Sequence, residues 1–214
     1  MQDIATIGID LGKSVFQVHA IGRDGKVVVR RQLRRSQMLE VFSKLAPCLI
    51  GMEACSGAHY RARELTLRGH DLRLMPPNHV KPHVKRGKTD AIDAEAICEA
   101  VTRPDMRFVP VRTEDRQAVL MTHRARDFLV RQQTQLSNAL RAHLAEYGVV
   151  APKGDHNVGR LPALADKATL PGAARLSIRS LADQFRNTHT RIEEITAMVK
   201  AEAQGNPVAR RLQI

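Results

Sequence analysis

The feature that most constrains the fold is an alternating segment at the start of the chain, residues 4–11. Apolar side chains occupy one face of this segment. On the other face, the positions that follow residue 7 are Gly8, Asp10 and Gly12. A period of two residues is typical of a β-strand with one buried face. A carboxylate within such a strand costs free energy unless it is paired or bound to a cation. The segment therefore predicts a strand that carries a functional acid.

Further alternation downstream predicts that this strand belongs to a mixed sheet. Residues 15–20 and 26–33 continue the pattern, and the glycine-containing turn between them is of the kind that joins antiparallel strands. The next predicted elements are a helix over 37–45 capped by Ser36, a buried strand over 48–52 ending at Glu53, a helix over 59–68 ended by Gly69, and a strand over 72–75. A meander followed by such alternation predicts an α/β fold.

The rest of the chain is predicted to be mainly helical. Residues 78–88 are basic and contain a proline, which predicts a loop, and Thr89 can cap a helix over 90–101. Long helices are predicted over 113–147 and 175–203, separated by a loop rich in glycine and proline. The last helix has a heptad seam, which favours a helical hairpin or a coiled coil, either with 113–147 or with another subunit. Packing on its own domain is the alternative.

These segments predict three parts, with boundaries at 1–112, 113–206 and 207–214. Pro207 suits the first turn of a further helix, and only a few residues follow it. We therefore expect residues 207–214 to begin a truncated C-terminal domain.

The charge distribution favours nucleic acid as a partner. The net charge is +12, and residues 26–86 hold 13 basic and 4 acidic side chains, whereas residues 1–25 and 87–112 each sum to −1. A basic segment of this kind gives salt-sensitive affinity for phosphate backbones. A solvated basic surface without a partner is the alternative. Aromatic residues make up only 3% of the chain, which argues against a base-stacking platform.

Nothing in the sequence predicts a membrane protein or an exported one. There is no apolar run near 18 residues and no signal-peptide pattern at the start. The 3 cysteines have no metal-type spacing, which fits reduced thiols in a cytoplasm. We therefore expect a cytoplasmic protein.

Four acidic residues form the candidate site. Asp10 lies within the first strand, Glu53 closes a buried strand, and Asp90 and Asp93 are three apart at a helix start, so that both can face one side. Oxygen ligands of this type suit Mg²⁺, or Mn²⁺ in its place. Four carboxylates around a pair of ions would supply the two-metal arrangement used in phosphodiester chemistry.

Each of these acids also has a purely structural interpretation. Asp90 and Asp93 could simply complement the helix dipole, and Glu53 could pair with an arginine of the basic segment. Asp10 is the hardest to explain without a cation.

Three motifs together resemble a known family. IGIDLGK at residues 7–13, GMEACSG at 51–57 and KTDAIDA at 88–94 are similar to the DEDD transposases of bacterial insertion sequences, which are relatives of the Piv-type invertases. The likeness covers residues 4–112 in order and spacing, and the later helices resemble the coiled-coil region of that family. The combination of the three motifs is specific, although each alone is not.

The resemblance implies a ribonuclease H-like (RuvC-like) mixed sheet followed by a helical coiled-coil region. It further implies that Asp10, Glu53, Asp90 and Asp93 are the metal-binding and catalytic tetrad, that Mg²⁺ or Mn²⁺ is the cofactor, and that the partners are DNA and a structured guide RNA. It implies homo-oligomers assembled through the helical region. Family members also carry a nucleophilic serine in a second domain, and no residue of this chain can be assigned as that serine.

Two other functions remain open at this point. One is a catalytically incomplete remnant that binds DNA or guide RNA and oligomerises, which the early end of the chain favours. The other is a phosphate-binding domain of the sugar-kinase or actin type, since GIDLG at residues 8–12 followed by a hairpin also suits that fold. The basic segment and the lack of a second glycine-rich loop argue against the latter.

Overall fold

The computed structural model describes residues 3–84, 89–150, 152, 157 and 159–211, in two compact units, Met1–Thr113 and Glu114–Ile214. The first unit is a five-stranded sheet with short helices. Its elements in chain order are β1 Ile4–Leu11, β2 Val15–Gly22, β3 Val27–Arg34, α1 Met38–Ser43, β4 Leu49–Glu53, α2 Ala58–Thr66, β5 Asp71–Met75, α3 Pro77–Val80, a 3₁₀ turn Lys81–His83 and α4 Asp90–Ala100.

The sheet is mixed, with the strand order β3-β2-β1-β4-β5. The first three strands form the predicted antiparallel meander, whereas β4 joins β1 in parallel and β5 joins β4 in parallel. Parallel neighbours need a crossover connection, which α2 supplies between β4 and β5. The predicted α/β fold, a ribonuclease H-like mixed sheet followed by a helical region, is confirmed.

One face of the sheet packs against α1 and α2 and forms the main core. Alternation along each strand sends its apolar residues to this face. The largest side chains buried there are Ile7, Ile9, Phe16, Met38, Phe42, Ile50, Met52, Leu65 and Leu74.

The opposite face carries α4, which lies unusually close to the sheet. Gly8 and Gly51 are side by side on β1 and β4, and neither has a side chain to hold the helix away. A Cβ atom on Gly8 would lie 2.2 Å from the Ala94 carbonyl oxygen, and one on Gly51 would lie 2.8 Å from the Val101 Cβ. The two glycines therefore form a flat seat on which the helix backbone rests.

The second unit is a helical hairpin. Its helices are α5 Glu114–Ala145, α6 Leu161–Lys167, α7 Gly172–Gly205 and α8 Pro207–Arg211. Arg126 Nε donates to Thr196 Oγ1 at 2.8 Å, and the Gln133 amide bonds to His189 Nδ1 at 2.8 Å, which fixes α5 and α7 as antiparallel. Its core consists of Leu140, Leu144, Leu161, Ala165, Leu170, Ile178, Ala182 and Phe185.

Some local predictions were wrong. Ser36 does not cap α1, because Gln37 holds the N-cap position and makes no side-chain cap bond. Part of the predicted loop at 78–88 is α3 and the 3₁₀ turn. Each has a proline in its first turn, Pro77 in α3 and Pro82 in the 3₁₀ turn, and proline suits that position. Residues 85–88 of that loop lie outside the described residues. The predicted loop at 148–172 contains α6.

The short helix α8 begins at Pro207, as its position in the sequence suggests. Residues 212–214, the end of the predicted third part, lie outside the described ranges. Among the described residues, no helix combines the length and the apolar character needed to cross a membrane.

Candidate metal centre

Asp10 lies near the carboxyl end of β1, on the face of the sheet that carries α4. Its neighbour on this face of the strand is Gly8, and Gln17 is beside it on β2. The side chain is about half-buried, and its carboxylate accepts a hydrogen bond from the Leu11 backbone N–H.

Helix α4 brings two further acids to Asp10. Thr89 caps the helix, since its Oγ1 accepts from the Ile92 backbone N–H at 3.4 Å. Asp90 and Asp93 therefore occupy the first turn, which lies over the end of β1. The cap is the one that the sequence predicts.

Three carboxylates converge at this point. One oxygen from each of Asp10, Asp90 and Asp93 lies within 4.8 Å of the other two. Asp90 is exposed, and the other two side chains are partly buried. Residues 10 and 90 are 80 positions apart in the chain, so only the close packing of α4 on β1 brings these acids together.

Glu53 lies at the edge of this cluster. It is the last residue of β4, beside Met75 on β5 and on the same face of the sheet as Gly51. Its carboxylate is outside the group of three that share the 4.8 Å limit. It is nevertheless close enough to interact electrostatically with Asp10 and Asp93. The structure therefore places three of the predicted acids together and the fourth next to them.

Two of the acids, Asp10 and Glu53, have raised pKa values. Burial raises the pKa of the Asp10 carboxyl above its ordinary value, and the negative charges of Asp93 and Asp90 raise it further. Burial likewise raises the pKa of Glu53, with smaller contributions from Asp10 and Asp93. The cluster is thus a site of concentrated negative charge, partly removed from water.

Within the described ranges, no lysine or arginine forms an ion pair with any of the four acids. Glu53 does not have an arginine partner there, in contrast to the structural interpretation of this residue. Interaction with the helix dipole alone does not explain Asp90 and Asp93, because their carboxylates also lie close to Asp10 on β1. Clustered carboxylate oxygens are the donor set that a hard divalent cation prefers.

Sequence reasoning did not find the role of the glycine seat. Gly8 and Gly51 stand out as small residues in strands, which is a known sign of close backbone approach. The sequence does not show which element approaches them. It also gave no sign that basic side chains from separate segments, Lys13, Arg35 and Arg61 among them, line one cavity.

Comparison with known proteins agrees with this architecture. A sequence model of the IS110-type DEDD transposases, described as Transposase, matches residues 7–149, which is more than half of the chain. The chain belongs to this family of DEDD transposases. The resemblance inferred from the three motifs is thereby confirmed. The match includes all four acids and extends into α5.

Individual members of the transposase family are similar over nearly the whole chain. A probable family 20 transposase of Pseudomonas aeruginosa is 44% identical over 98% of this chain and 63% of its own length. The transposase of insertion sequence element IS1328 from Yersinia enterocolitica is 38% identical over 99% of this chain and 64% of its own. The transposase of element IS1111A from Coxiella burnetii is 34% identical and is covered over 59% of its length. The chain thus spans about three fifths of these relatives.

Proposed function

We propose that this chain performs the metal-dependent phosphodiester chemistry of a DNA transposase at the cluster of Asp10, Glu53, Asp90 and Asp93. The observation that carries the proposal is the convergence of three carboxylates within 4.8 Å on a ribonuclease H-like sheet. Its support from comparison is the family match, which includes all four residues. The relatives are named transposases, and their names motivate the choice of DNA as substrate.

The donor set fits Mg²⁺ or Mn²⁺ better than zinc. Asp10, Asp90 and Asp93 would be the ligands, with Glu53 positioned to complete the site, and no histidine or cysteine joins the group of three among the described residues. When bound, divalent ions supply a Lewis acid for the scissile phosphate and lower the pKa of an attacking water or hydroxyl.

The protein's own residues contribute charge and rigidity. Asp10 is held by the sheet and by the Leu11 N–H, and Asp90 and Asp93 are held by a capped helix on a glycine seat. Side chains fixed on strands and helices keep their geometry better than side chains on loops. Unoccupied, the acids would repel a phosphate, so cation binding and DNA binding at this point are coupled.

The partners proposed beyond DNA are a structured guide RNA and further copies of the chain. The basic residues between 30 and 86 offer more phosphate contacts than one strand at the acids would need, which is compatible with an RNA partner implied by the family resemblance. Lys26, at the start of the basic segment, pairs with Asp24 and is not counted among these contacts. Exposed apolar side chains on the hairpin support assembly of several copies through the helical region. These side chains are Met121 and Phe128 on α5, and Leu176 and Met198 on α7.

The experiment that tests the proposal is nicking of supercoiled plasmid DNA by the 214-residue chain with Mg²⁺ or Mn²⁺. We expect cleavage that Asp10→Ala abolishes while circular dichroism and thermal unfolding show a folded protein. Lys26→Gln, a change in an exposed turn, is the control and should cut like the wild type. DNA binding without any cleavage would contradict the catalytic proposal and leave a binding protein.

A further inference from the structure

A group of basic side chains lines one cavity of the first unit, and one of them, Lys13, follows Asp10 by three residues. An open cavity of about 630 Å³ is lined by Lys13, Ser14, Val15, Arg34, Arg35, Ser36, Leu39 and Arg61. No acidic residue lines it, and four of its lining side chains are cationic. Within the described part of the chain, none of the four forms an ion pair with a carboxylate.

Arg61 is the strongest sign that this cavity is built to receive an anion. The residue is only 9% exposed, and its Nε has no hydrogen-bond partner. Its guanidinium lies 5.7 Å from the ring centroid of Phe16 and 5.0 Å from that of Tyr60. A buried cation with a free donor costs free energy unless a ligand compensates it.

A second guanidinium shares the same ring. The Cζ atom of Arg35 lies 5.6 Å from the Phe16 centroid, so two positive charges approach one aromatic side chain. Burial lowers the pKa of Arg61, and the charge of Arg35 lowers it further. An anion that bridges the two arginines would remove this repulsion and supply the missing acceptor.

The chain connects this cavity directly to the acids. Lys13 follows Asp10 by three residues, and its carbonyl accepts a hydrogen bond from Arg35 Nη1 at 2.9 Å. A Cβ on Gly57, four residues after Glu53, would lie 3.4 Å from Arg35 Nη2. Arg35 therefore touches both segments that leave the acidic cluster.

The spacing suits a nucleic acid strand. Three Cα–Cα steps span at most ~11 Å, and successive phosphates of one DNA strand advance about 3.4 Å along the helix axis. The Cα of Lys13 is thus within about three nucleotide steps of the Cα of Asp10. We propose that Lys13, Arg35 and Arg61 form a phosphate subsite that holds the backbone of the DNA strand entering the acidic cluster. This inference rests on the proposed function for the identity of the strand.

The test measures DNA affinity without divalent ions, so that it does not depend on the acids. Fluorescence anisotropy of a labelled DNA duplex, and of one of its single strands, is followed in EDTA between about 50 and 200 mM KCl. Lys13→Gln and Lys26→Gln form a matched pair, because both lysines lie in exposed turns at opposite ends of β2. Arg35→Gln is a second variant, since truncating the buried Arg61 would also remove packing.

We expect Lys13→Gln and Arg35→Gln each to reduce the slope of log affinity against log salt by about 0.7–0.9, the loss of one phosphate contact. At about 0.1 M salt this corresponds to roughly an eightfold loss of affinity. Lys26→Gln should leave the slope unchanged. Equal slopes for all three variants would overturn the subsite.

The outcomes also separate this proposal from the proposed function. If the wild type fails to cut DNA, but Lys13→Gln reduces the salt slope and Lys26→Gln does not, the catalytic proposal fails and the subsite stands. If the wild type cuts DNA and the slopes are equal, the reverse holds. A loss confined to an RNA hairpin of the same length would overturn the assignment of DNA as the occupant.

Discussion

Replacing Asp10 with asparagine should stabilise the metal-free protein, although it removes a residue proposed to be essential. The oxygens of Asp10, Asp90 and Asp93 lie within 4.8 Å of one another. At that separation two unit charges repel by about 0.9 kcal/mol in water and about 3.5 kcal/mol at an effective dielectric constant of about 20. Because the side chains are partly exposed, solvent screening keeps each repulsion close to its value in water. The repulsions of Asp10 by Asp90 and by Asp93 then sum to about 2 kcal/mol.

The assay is thermal unfolding at neutral pH, with EDTA and with added Mg²⁺. A gain of about 2 kcal/mol should raise the Tm of the first unit by roughly 8 °C in EDTA. Mg²⁺ should raise the Tm of the wild type and have a much smaller effect on Asp10→Asn, because the cation binds the folded acids. The control is Asp71→Asn, an exposed aspartate that pairs with Arg73 and should change the Tm little. An unchanged or lower Tm for Asp10→Asn in EDTA would refute the reasoning.

Three further predictions concern packing and protonation. Gly8→Ala should destabilise the first unit by about 1–3 kcal/mol or more and weaken metal binding, since its Cβ would meet the backbone of α4. The free energy of unfolding is measured in urea, with Gly172→Ala, an uncrowded site, as the control. Equal losses of stability in the two variants would contradict this prediction. Phe185→Ala should lower the free energy of unfolding of the hairpin by about 3–5 kcal/mol, because Phe185 is buried in its core. Leu176 is 74% exposed, so Leu176→Ala should lower it little. Equal effects of the two changes in calorimetry would contradict this packing. Without divalent ions, Asp10 and Glu53 should each lower the free energy of unfolding as pH rises from about 4 toward neutrality, because a carboxyl with a raised pKa binds more protons in the folded chain. The stability gained by Asp10→Asn over the wild type should therefore grow across this window, and a gain that shrinks would contradict the sign.

The sheet was predictable from the sequence because its strands have clear alternation and its turns contain glycine. An acid with a glycine on either side of it along its strand face, Gly8 and Gly12, marks Asp10 as exceptional from the sequence alone. Thr89 was recognisable as a cap because the helix after it begins at once.

The convergence of the acids was not predictable from local pattern alone. It depends on α4 resting on Gly8 and Gly51, a contact between segments far apart in the chain. The heptad seam of α7 allowed several partners, and α5 was one of them. A heptad seam indicates that a helix face packs against another element, but it does not indicate which element. Arg61 escaped notice because an arginine in an amphipathic helix is usually solvated, and its burial against Phe16 depends on a contact between segments far apart in the chain.

Titration of the protein with Mn²⁺, followed by calorimetry and by the loss of the free-ion electron paramagnetic resonance signal, tests the central claim most directly. The account predicts saturable binding to the wild type, its abolition in Asp93→Asn and a weaker affinity in Glu53→Gln. Wild-type stoichiometry and affinity in Asp93→Asn would contradict the claim that these acids form one divalent-cation site.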